Sequence, residues 1–416
     1  MGGNKYFFPM VVMSILFFMV GFITTMNNSL INFLSSSKWM LSFTEKQLIN
    51  TSFFGAYLFS VPLSFLLHKL GYKSSAVLSL FIITLGFVMV FPSVSIGYWA
   101  FLCSMFVVAV GIALLQIVLN PYVLALGDEC KAASRLNLTG FFNSLATVIA
   151  PLFVSFFIST DNPIAGASDI MERPDPQNVR IPFLFIAGIA FMLGFILFRL
   201  KLPEIADNTN DDDTSKNSPY KYPYLIFGSI AIFMYMGIEV GIPSFLPDWM
   251  KSQGINSINI MGIDLNSTTI LSIYWGGLMV GRLIGAIVLQ NISARVATTF
   301  CSSLAVVLLL SALSAGGKIS LLLLALCGFC NSILWGNIFN LSTEGLGRHT
   351  KLASGIVCTF AIGGALLPPL MGYIQQIFGA GDLFAGTRMA LSCLLVFYSY
   401  IILFALILSK VGKTIH

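Results

Sequence analysis

Along almost its whole length the chain runs in long apolar stretches broken by short polar ones. Twelve stretches occur, near residues 8–34, 47–68, 74–94, 98–126, 135–159, 181–200, 223–249, 268–290, 294–315, 319–343, 353–378 and 386–409. Each is close to the roughly 20 residues that a helix needs to cross the hydrocarbon core of a bilayer. Only helices and closed barrels satisfy backbone polar groups in lipid, and these runs are too long and continuous for the alternating strands of a barrel. The pattern predicts an all-α membrane protein with twelve transmembrane helices. The first stretch, from about Phe7, is too long for a cleaved leader and lacks a small-residue cleavage site, so it reads as the first span.

The polar breaks divide the chain. Pro203 to Tyr220 carries the acidic, Asn-rich run EIADNTNDDDTSKNSP. It predicts a flexible linker over 203–221 between two six-helix bundles, 1–202 and 222–416. Thr160 to Arg180, with Pro163, Pro174 and Pro176, predicts an irregular surface loop. The two bundles echo one another: Asn120 and Pro151 are matched by Asn337 and Pro368, 217 positions further on, and Phe54-Gly55 resembles Trp275-Gly276. Pseudo-symmetric repeats of this kind place a binding site between them, near the bilayer midplane.

Composition agrees with the pattern. Hydrophobic residues make up 57% of the chain and charged residues 9%, with a mean hydropathy of +0.89. A soluble domain carries about 25% charged residues, so most of this surface must face lipid. The net charge of +5 comes without any Lys/Arg run of the kind that tracks phosphates, so it carries no sign of nucleic acid. With the N-terminus inside, fifteen of the 22 Lys and Arg fall on the cytoplasmic side, which predicts both termini inside. Of the seven cysteines, Cys327 and Cys330 have a redox-pair spacing, but they sit in a Leu-rich span and read as packing residues.

Ionisable groups inside spans are costly and usually functional. Glu239, in YMGIEVGIPSF, is the clearest intramembrane acid. It reads as a carboxylate facing a cavity, with a structural pairing to a neighbouring helix as the alternative. Arg282, in GGLMVGRLIG, lies toward the cytoplasmic end of its span and reads as a gating or snorkelling cation. Asp128, Glu129 and Arg135, with Glu344 and Arg348, stand where spans 4–5 and 10–11 turn. They predict cytoplasmic charge pairs which, with Lys69 and Lys73, would latch an outward-facing state.

Amides stand out more than charges. Asn27 and Asn28 interrupt span 1, Gln116 and Asn120 lie one turn apart on span 4, Asn143 is in span 5, and Asn331, Asn337 and Asn340 run along span 10. An amide both donates and accepts, which suits a polyhydroxyl ligand. Asn28, Gln116, Asn120, Asn143, Asn331 and Asn337 are expected to face one cavity, although any one of them could instead bond a neighbouring helix. Tyr57, Tyr274, Trp275 and Trp335 are candidates to pack against a sugar ring, Trp275 foremost because it sits among glycines. The chain holds no Walker loop, HExxH or nucleophile elbow, so nothing in it points to an enzyme, a cofactor or ATP.

These residues carry a resemblance. Phe53-Phe54-Gly55-Ala56-Tyr57, Leu70-Gly71-Tyr72-Lys73, Asn120-Pro121-Tyr122, Ser134-Arg135-Leu136-Asn137-Leu138 and Phe142-Asn143-Ser144 mark the first half. Gly237-Ile238-Glu239-Val240-Gly241-Ile242, Tyr274-Trp275-Gly276-Gly277 and Glu344-Gly345-Leu346-Gly347 mark the second. The chain resembles the major facilitator superfamily and, within it, the fucose permease and glucose/galactose permease family. The resemblance implies a monomeric sugar symporter of the inner membrane that works by alternating access. Three positions depart from the fucose permease: Asn28 stands where that family has an aspartate, Gln116 where it has a glutamate, and Gly140 where a glutamine is common. Amides cannot carry protons, which leaves Glu239 as the expected coupling group. A proton is the first expectation. Sodium coupling, or a major facilitator exporter of other small molecules, is the alternative.

Overall fold

The computed structural model describes residues 6–35, 39, 49, 52–158, 176–201, 203, 221–255, 258–260, 263–265 and 267–412. The side chains of 27–35, 151–152, 154–158, 176, 258–260, 263–265, 267–268 and 348 fall outside that description. So do residues 160–175 of the surface loop predicted over 160–180 and residues 204–220 of the linker predicted over 203–221.

Ten helical stretches among the described residues are long and apolar enough to cross a membrane. One of them, Ser52–Ile96, is 45 residues long and holds two spans. Gly71, at φ +77°, divides it into α2 (52–70) and α3 (72–96). Glycine takes this left-handed conformation without the Cβ clash that other residues meet. The helix α5 (Ala132–Ile158) stands beside these ten, and the others of the ten are α1 (Phe7–Ser35), α4 (Tyr98–Ala125), α6 (Arg180–Arg199), α7 (Pro223–Ser252) and α8 (Ser267–Val288). They continue with α9 (Ala294–Ala315), α10 (Gly317–Thr343), α11 (Thr350–Phe378) and α12 (Leu383–Leu406). Each predicted span corresponds to one helix. A short ribbon between α7 and α8, β1 (Ile258–Ile260) paired antiparallel with β2 (Ile263–Leu265), was not foreseen. Three-residue strands are too short to leave a period-2 signal.

The outer faces explain why the helices need a bilayer. Ile181, Phe185, Phe195 and Phe198 of α6 are exposed, as are Ile287 of α8 and Val296, Phe300 and Val307 of α9. A contiguous apolar surface of this kind is not tolerated against water, whereas lipid accepts it without cost. The protein is a multi-pass membrane protein of two six-helix bundles. In the first, α1 packs on α5, and α3 on α4 and α6. In the second, α7 packs on α11 and α12, and α8 on α10.

The loops after α2, α4, α8 and α10 share the face toward which α6 ends and α7 begins, here termed the linker face. Near it the bundles meet in a tight seam. Ser134 Oγ of α5 donates to the Ala286 carbonyl of α8. Asn137 Nδ2 of α5 donates to Asn337 Oδ1 of α10 at 3.2 Å. Ser354 Oγ of α11 donates to the Ile117 carbonyl of α4 at 2.9 Å, and the Lys351 ammonium lies 5.2 Å from the ring centroid of Tyr72. Three helices lose α-helical form further along. α2 tightens to a 3₁₀ turn over Ala56–Phe59, α11 does so over Phe360–Ile362, and α10 breaks at Ser332 and Ile333. The first two turns touch across the seam and bury Tyr57, Ala113 and Ala361 together.

Candidate functional site

Beyond the closed seam the bundles part around a cavity of about 160 Å³. Helices α1, α2, α4 and α5 line it from one side, and α7, α8, α10 and α11 from the other. The first half contributes neutral groups. Gln116 and Asn120 of α4 reach it together because residues four apart share a helix face. Asn120 Nδ2 donates to the Gln116 carbonyl at 2.9 Å, while its Oδ1 is buried without a hydrogen-bond partner. Asn143 of α5 donates through Nδ2 to the Phe17 carbonyl of α1 at 3.0 Å. Thr24, Thr25 and Tyr57 complete this side.

The second half contributes charge and indoles. Trp275 of α8 and Trp335 of α10 border the cavity, with Glu239 of α7 and Arg282 of α8 beside them. Arg282 Nη2 stands 3.5 Å from Glu239 Oε1. Its Nη1 crosses the seam to the Gly140 carbonyl at 3.1 Å, Ser144 Oγ at 2.8 Å and Asn143 Oδ1 at 3.4 Å. Its Nε donates to the Ser332 carbonyl at 3.1 Å, at the break in α10.

The placement of Arg282 corrects its expected position toward the cytoplasmic end of its span. The residue is only 8% exposed, and its side chain turns into the cavity wall. The cause lies next to it: a Cβ on Gly281 would fall 2.7 Å from Ser332 Cβ, so α8 and α10 touch at the backbone here. With α10 and α5 closing over it, the arginine finds carbonyls and a carboxylate nearer than any water. Snorkelling is the resort of a cation that lacks such partners.

Two predicted cavity amides are also corrected. Asn331 is fully buried behind the wall, where it donates to the Tyr274 hydroxyl at 3.1 Å and accepts from the Tyr398 hydroxyl at 2.6 Å. The Tyr274 hydroxyl in turn donates to the backbone carbonyl of Glu239 at 3.3 Å. Asn337 belongs to the seam, bonded to Asn137 and, through Nδ2, to the Ala294 carbonyl at 3.4 Å. Spacing along α10 could not separate these outcomes, because an amide that ties helices together and one that faces a cavity look alike in sequence.

The charges at the turns differ from expectation as well. Arg135 donates to the backbone carbonyls of Val123, Leu124 and Asp128 at 3.2, 2.7 and 2.6 Å, so it caps the end of α4 and takes no carboxylate. Asp128 accepts from the Cys130 amide at 3.2 Å and caps a short turn. Glu344 is exposed at the end of α10, its carbonyl accepting from the Tyr224 hydroxyl at 3.1 Å. The side chains of Asn28 and Arg348 lie outside the described residues. Sequence reasoning missed Thr24, Thr25, Ser144 and Tyr235. Hydroxyls recur through every span, so they carry no signal of their own.

Comparisons with known proteins agree with this architecture. The family model described as Major Facilitator Superfamily matches residues 13–368. The chain is 34% identical over 410 residues to a glucose/galactose transporter of Brucella abortus, covering 98% of this chain and 95% of that one. It is 24% identical over 394 residues to the L-fucose-proton symporter of Escherichia coli, covering 90% and 89%. The crystal structure of a Major Facilitator Superfamily transporter, FucP, in the outward conformation superposes with a TM-score of 0.81 at 23% identity, covering 99% of this chain and all of that one. Twelve helices in two bundles around a shared cavity, and a family match over residues 13–368, make this chain a member of the Major Facilitator Superfamily.

Proposed function

We propose that the protein imports a monosaccharide of the glucose, galactose or fucose kind by alternating access, driven by protons that bind at Glu239. One observation carries this: the amides of one half face an ion pair and two indoles of the other across a small cavity. Gln116, Asn120 and Asn143 supply donors and acceptors for hydroxyls. Trp275 and Trp335 supply flat apolar faces for the C–H side of a pyranose ring. A cavity of about 160 Å³ suits one small solute better than the drug-sized ligands whose pockets measure roughly 300–1,000 Å³. The names of the two curated relatives, a glucose/galactose transporter and a fucose-proton symporter, favour the same class of cargo.

The ion pair bears on the coupling ion. A sodium ion at Glu239 would share its carboxylate with a guanidinium 3.5 Å away, and like charges so close repel in a low-dielectric site. A proton places no second cation beside the guanidinium, because it neutralises the carboxylate. The excess of Lys and Arg on the linker face makes that face cytoplasmic in the inner membrane. On this reading the closed seam faces the cytoplasm, and the carrier is outward-facing and acts as a monomer.

Reconstitution into proteoliposomes tests this. Labelled glucose, galactose and fucose are offered under an inward proton gradient or an inward sodium gradient. Proton-driven accumulation of at least one sugar is the expected result. Accumulation that follows sodium and ignores pH overturns the coupling assignment, and no uptake of any sugar overturns the whole.

A further inference from the structure

A second concavity lies on the flank of the first bundle and shares no lining residue with the central cavity. It is a groove of about 690 Å³ between α1 and α5. Both helices start at the linker face and run away from it packed side by side. Phe7, Val11, Ile15 and Phe18 line the groove from α1 at helical spacing, and Leu138 and Phe142 line it from α5. Phe7, Val11, Ile15 and Leu138 are exposed, so the groove opens outward from the bundle.

The two ends of the groove differ. From Phe7 to Phe18 the α1 wall advances eleven residues, about 16 Å at the helical rise of 1.5 Å per residue. That matches the depth of one leaflet, half of a hydrocarbon core roughly 30 Å thick. The end toward the midplane is apolar, closed by Phe18 and Phe142. At the linker-face end stand Tyr6 and Arg135. A tyrosine ring is at home at headgroup level. The Arg135 guanidinium is half-buried, and three of its five N–H groups donate to the carbonyls of Val123, Leu124 and Asp128. Those bonds fix its plane and leave one N–H on each terminal nitrogen without an acceptor among the described residues. Of the acids, Asp128 attracts it, from an exposed turn where the carboxylate accepts from the Cys130 amide at 3.2 Å.

These features decide among occupants. An acyl chain gains no hydrophobic energy by leaving other chains for a protein groove, because lipid tails are as apolar as leucine. Shape and the charged end must therefore select. A helix from a second copy of the chain would cover the apolar length and offer nothing to the spare N–H groups at its edge. A phospholipid answers both ends, with a chain one leaflet deep and a phosphate at the level of the cation. The planar fork of a guanidinium suits phosphate oxygens, and such charge-assisted bonds are about twice as strong as neutral ones. We propose that the α1–α5 groove binds a glycerophospholipid of the leaflet at the linker face, one acyl chain lying against the two helices and the phosphate held by Arg135. Both walls belong to the first bundle, so the site keeps its shape while the bundles rock, and the lipid travels with that half.

Native mass spectrometry of the purified protein in a nonionic detergent, titrated with dioleoylphosphatidylglycerol, tests this. The wild type should retain one lipid more tightly than any that follow. Dioleoylglycerol has the same chains and no phosphate, and it should bind on the order of tenfold more weakly, as should the phospholipid on Arg135→Gln, because each loses hydrogen bonds to a charged group. Arg135 also caps α4, so a second variant tests the groove with the guanidinium in place. Ile15→Trp fills the middle of the groove from an exposed position and should lower retention by a similar factor. Val307→Trp, on the exposed face of α9, should leave it unchanged. Equal binding of the phospholipid and dioleoylglycerol overturns the proposal, and so does an Ile15→Trp protein that retains lipid as the wild type does. A pair of chains that Ile15→Trp separates would give the groove to a second copy. Lipid that binds only after residues 2–5 are removed would give it to the N-terminal segment of the chain. Either result overturns the inference.

Discussion

The first half faces the cavity with neutral polar groups, Gln116, Asn120 and Asn143 among them, whereas the second half faces it with Glu239, Arg282, Trp275 and Trp335. The division has a physical sense. Neutral amides lose little when a ligand leaves, because water can replace it. A charge in a low-dielectric wall has no such freedom and needs its counter-charge throughout the cycle. Both members of the ion pair sit on one bundle, so they stay together while the bundles rock. The second contrast is within a symmetric pair. Asn120 and Asn337 stand at equivalent positions of α4 and α10. Asn337 spends its Oδ1 on Asn137 across the seam, while the Oδ1 of Asn120 is buried beside the cavity without a hydrogen-bond partner. One sequence position thus serves as a fastener in one half and borders the cavity in the other.

The sharpest test of the division is to neutralise the charged side. A pH step of one unit can sustain about tenfold accumulation, since each tenfold ratio corresponds to about 1.4 kcal/mol. Glu239→Gln should remove all of it, leaving internal sugar no higher than external, while exchange of labelled for unlabelled sugar continues. The readout is steady-state accumulation against counterflow in the same vesicles. Accumulation at the wild-type level would mean that coupling does not reside in the second half.

The neutral side should respond in affinity and leave coupling intact. Losing one hydrogen bond to a ligand costs about 1 kcal/mol, so Asn120→Ala and Asn143→Ala should each weaken sugar binding roughly fivefold. Accumulation under a saturating sugar supply should persist. Asn337→Ala should spare affinity by comparison, because Asn337 lies in the seam and not in the cavity lining. Equal losses at Asn120 and Asn337 would erase the contrast between the symmetric positions.

The seam itself should respond in population and not in affinity. Asn137→Ala removes the amide donor to Asn337 Oδ1 between two fully packed helices. A buried acceptor left without its donor costs on the order of 1–3 kcal/mol, and the cost falls on the closed state alone, since opening lets water in. The population should move toward the form open at the linker face, by several-fold. Distances between spin labels at the linker-face ends of α4 and α10 would report it.

How far the sequence foretold this differs by region. Helix positions were legible throughout, because a bilayer enforces one length and one polarity on every span. Gln116, Asn120 and Asn143 were legible as cavity groups because an amide is scarce in such surroundings. The ion pair was not. Glu239 stood out alone, but Arg282 looked closer to the linker face than its side chain reaches, and its acceptors, two backbone carbonyls and three side chains, come from three other helices. Asn331 and Asn337 were misread for the opposite reason: their partners, two tyrosine hydroxyls and another asparagine, come from helices far away in sequence.

The smallest effect is expected where the sequence pointed to a latch of charges. Glu344 ends α10 at the linker face and is exposed. An ion pair at such a wet surface contributes only about 0–1 kcal/mol, and salt screens it further. The seam beside it is closed instead by Asn137 with Asn337, Ser354 with Ile117, Ser134 with Ala286, and Lys351 over Tyr72. Of these, only the last involves a charge. Glu344→Gln should therefore leave the spin-label distances of the closed state unchanged, and raising the salt concentration should do no more. Lys351→Met, which removes the ammonium over the Tyr72 ring, should shift them slightly, in keeping with the roughly 0.5–2 kcal/mol of a cation–π contact. If Glu344→Gln opened the linker face more than Asn137→Ala does, charges rather than amides would hold the seam, and the two halves would be fastened by the very groups that now stand outside it.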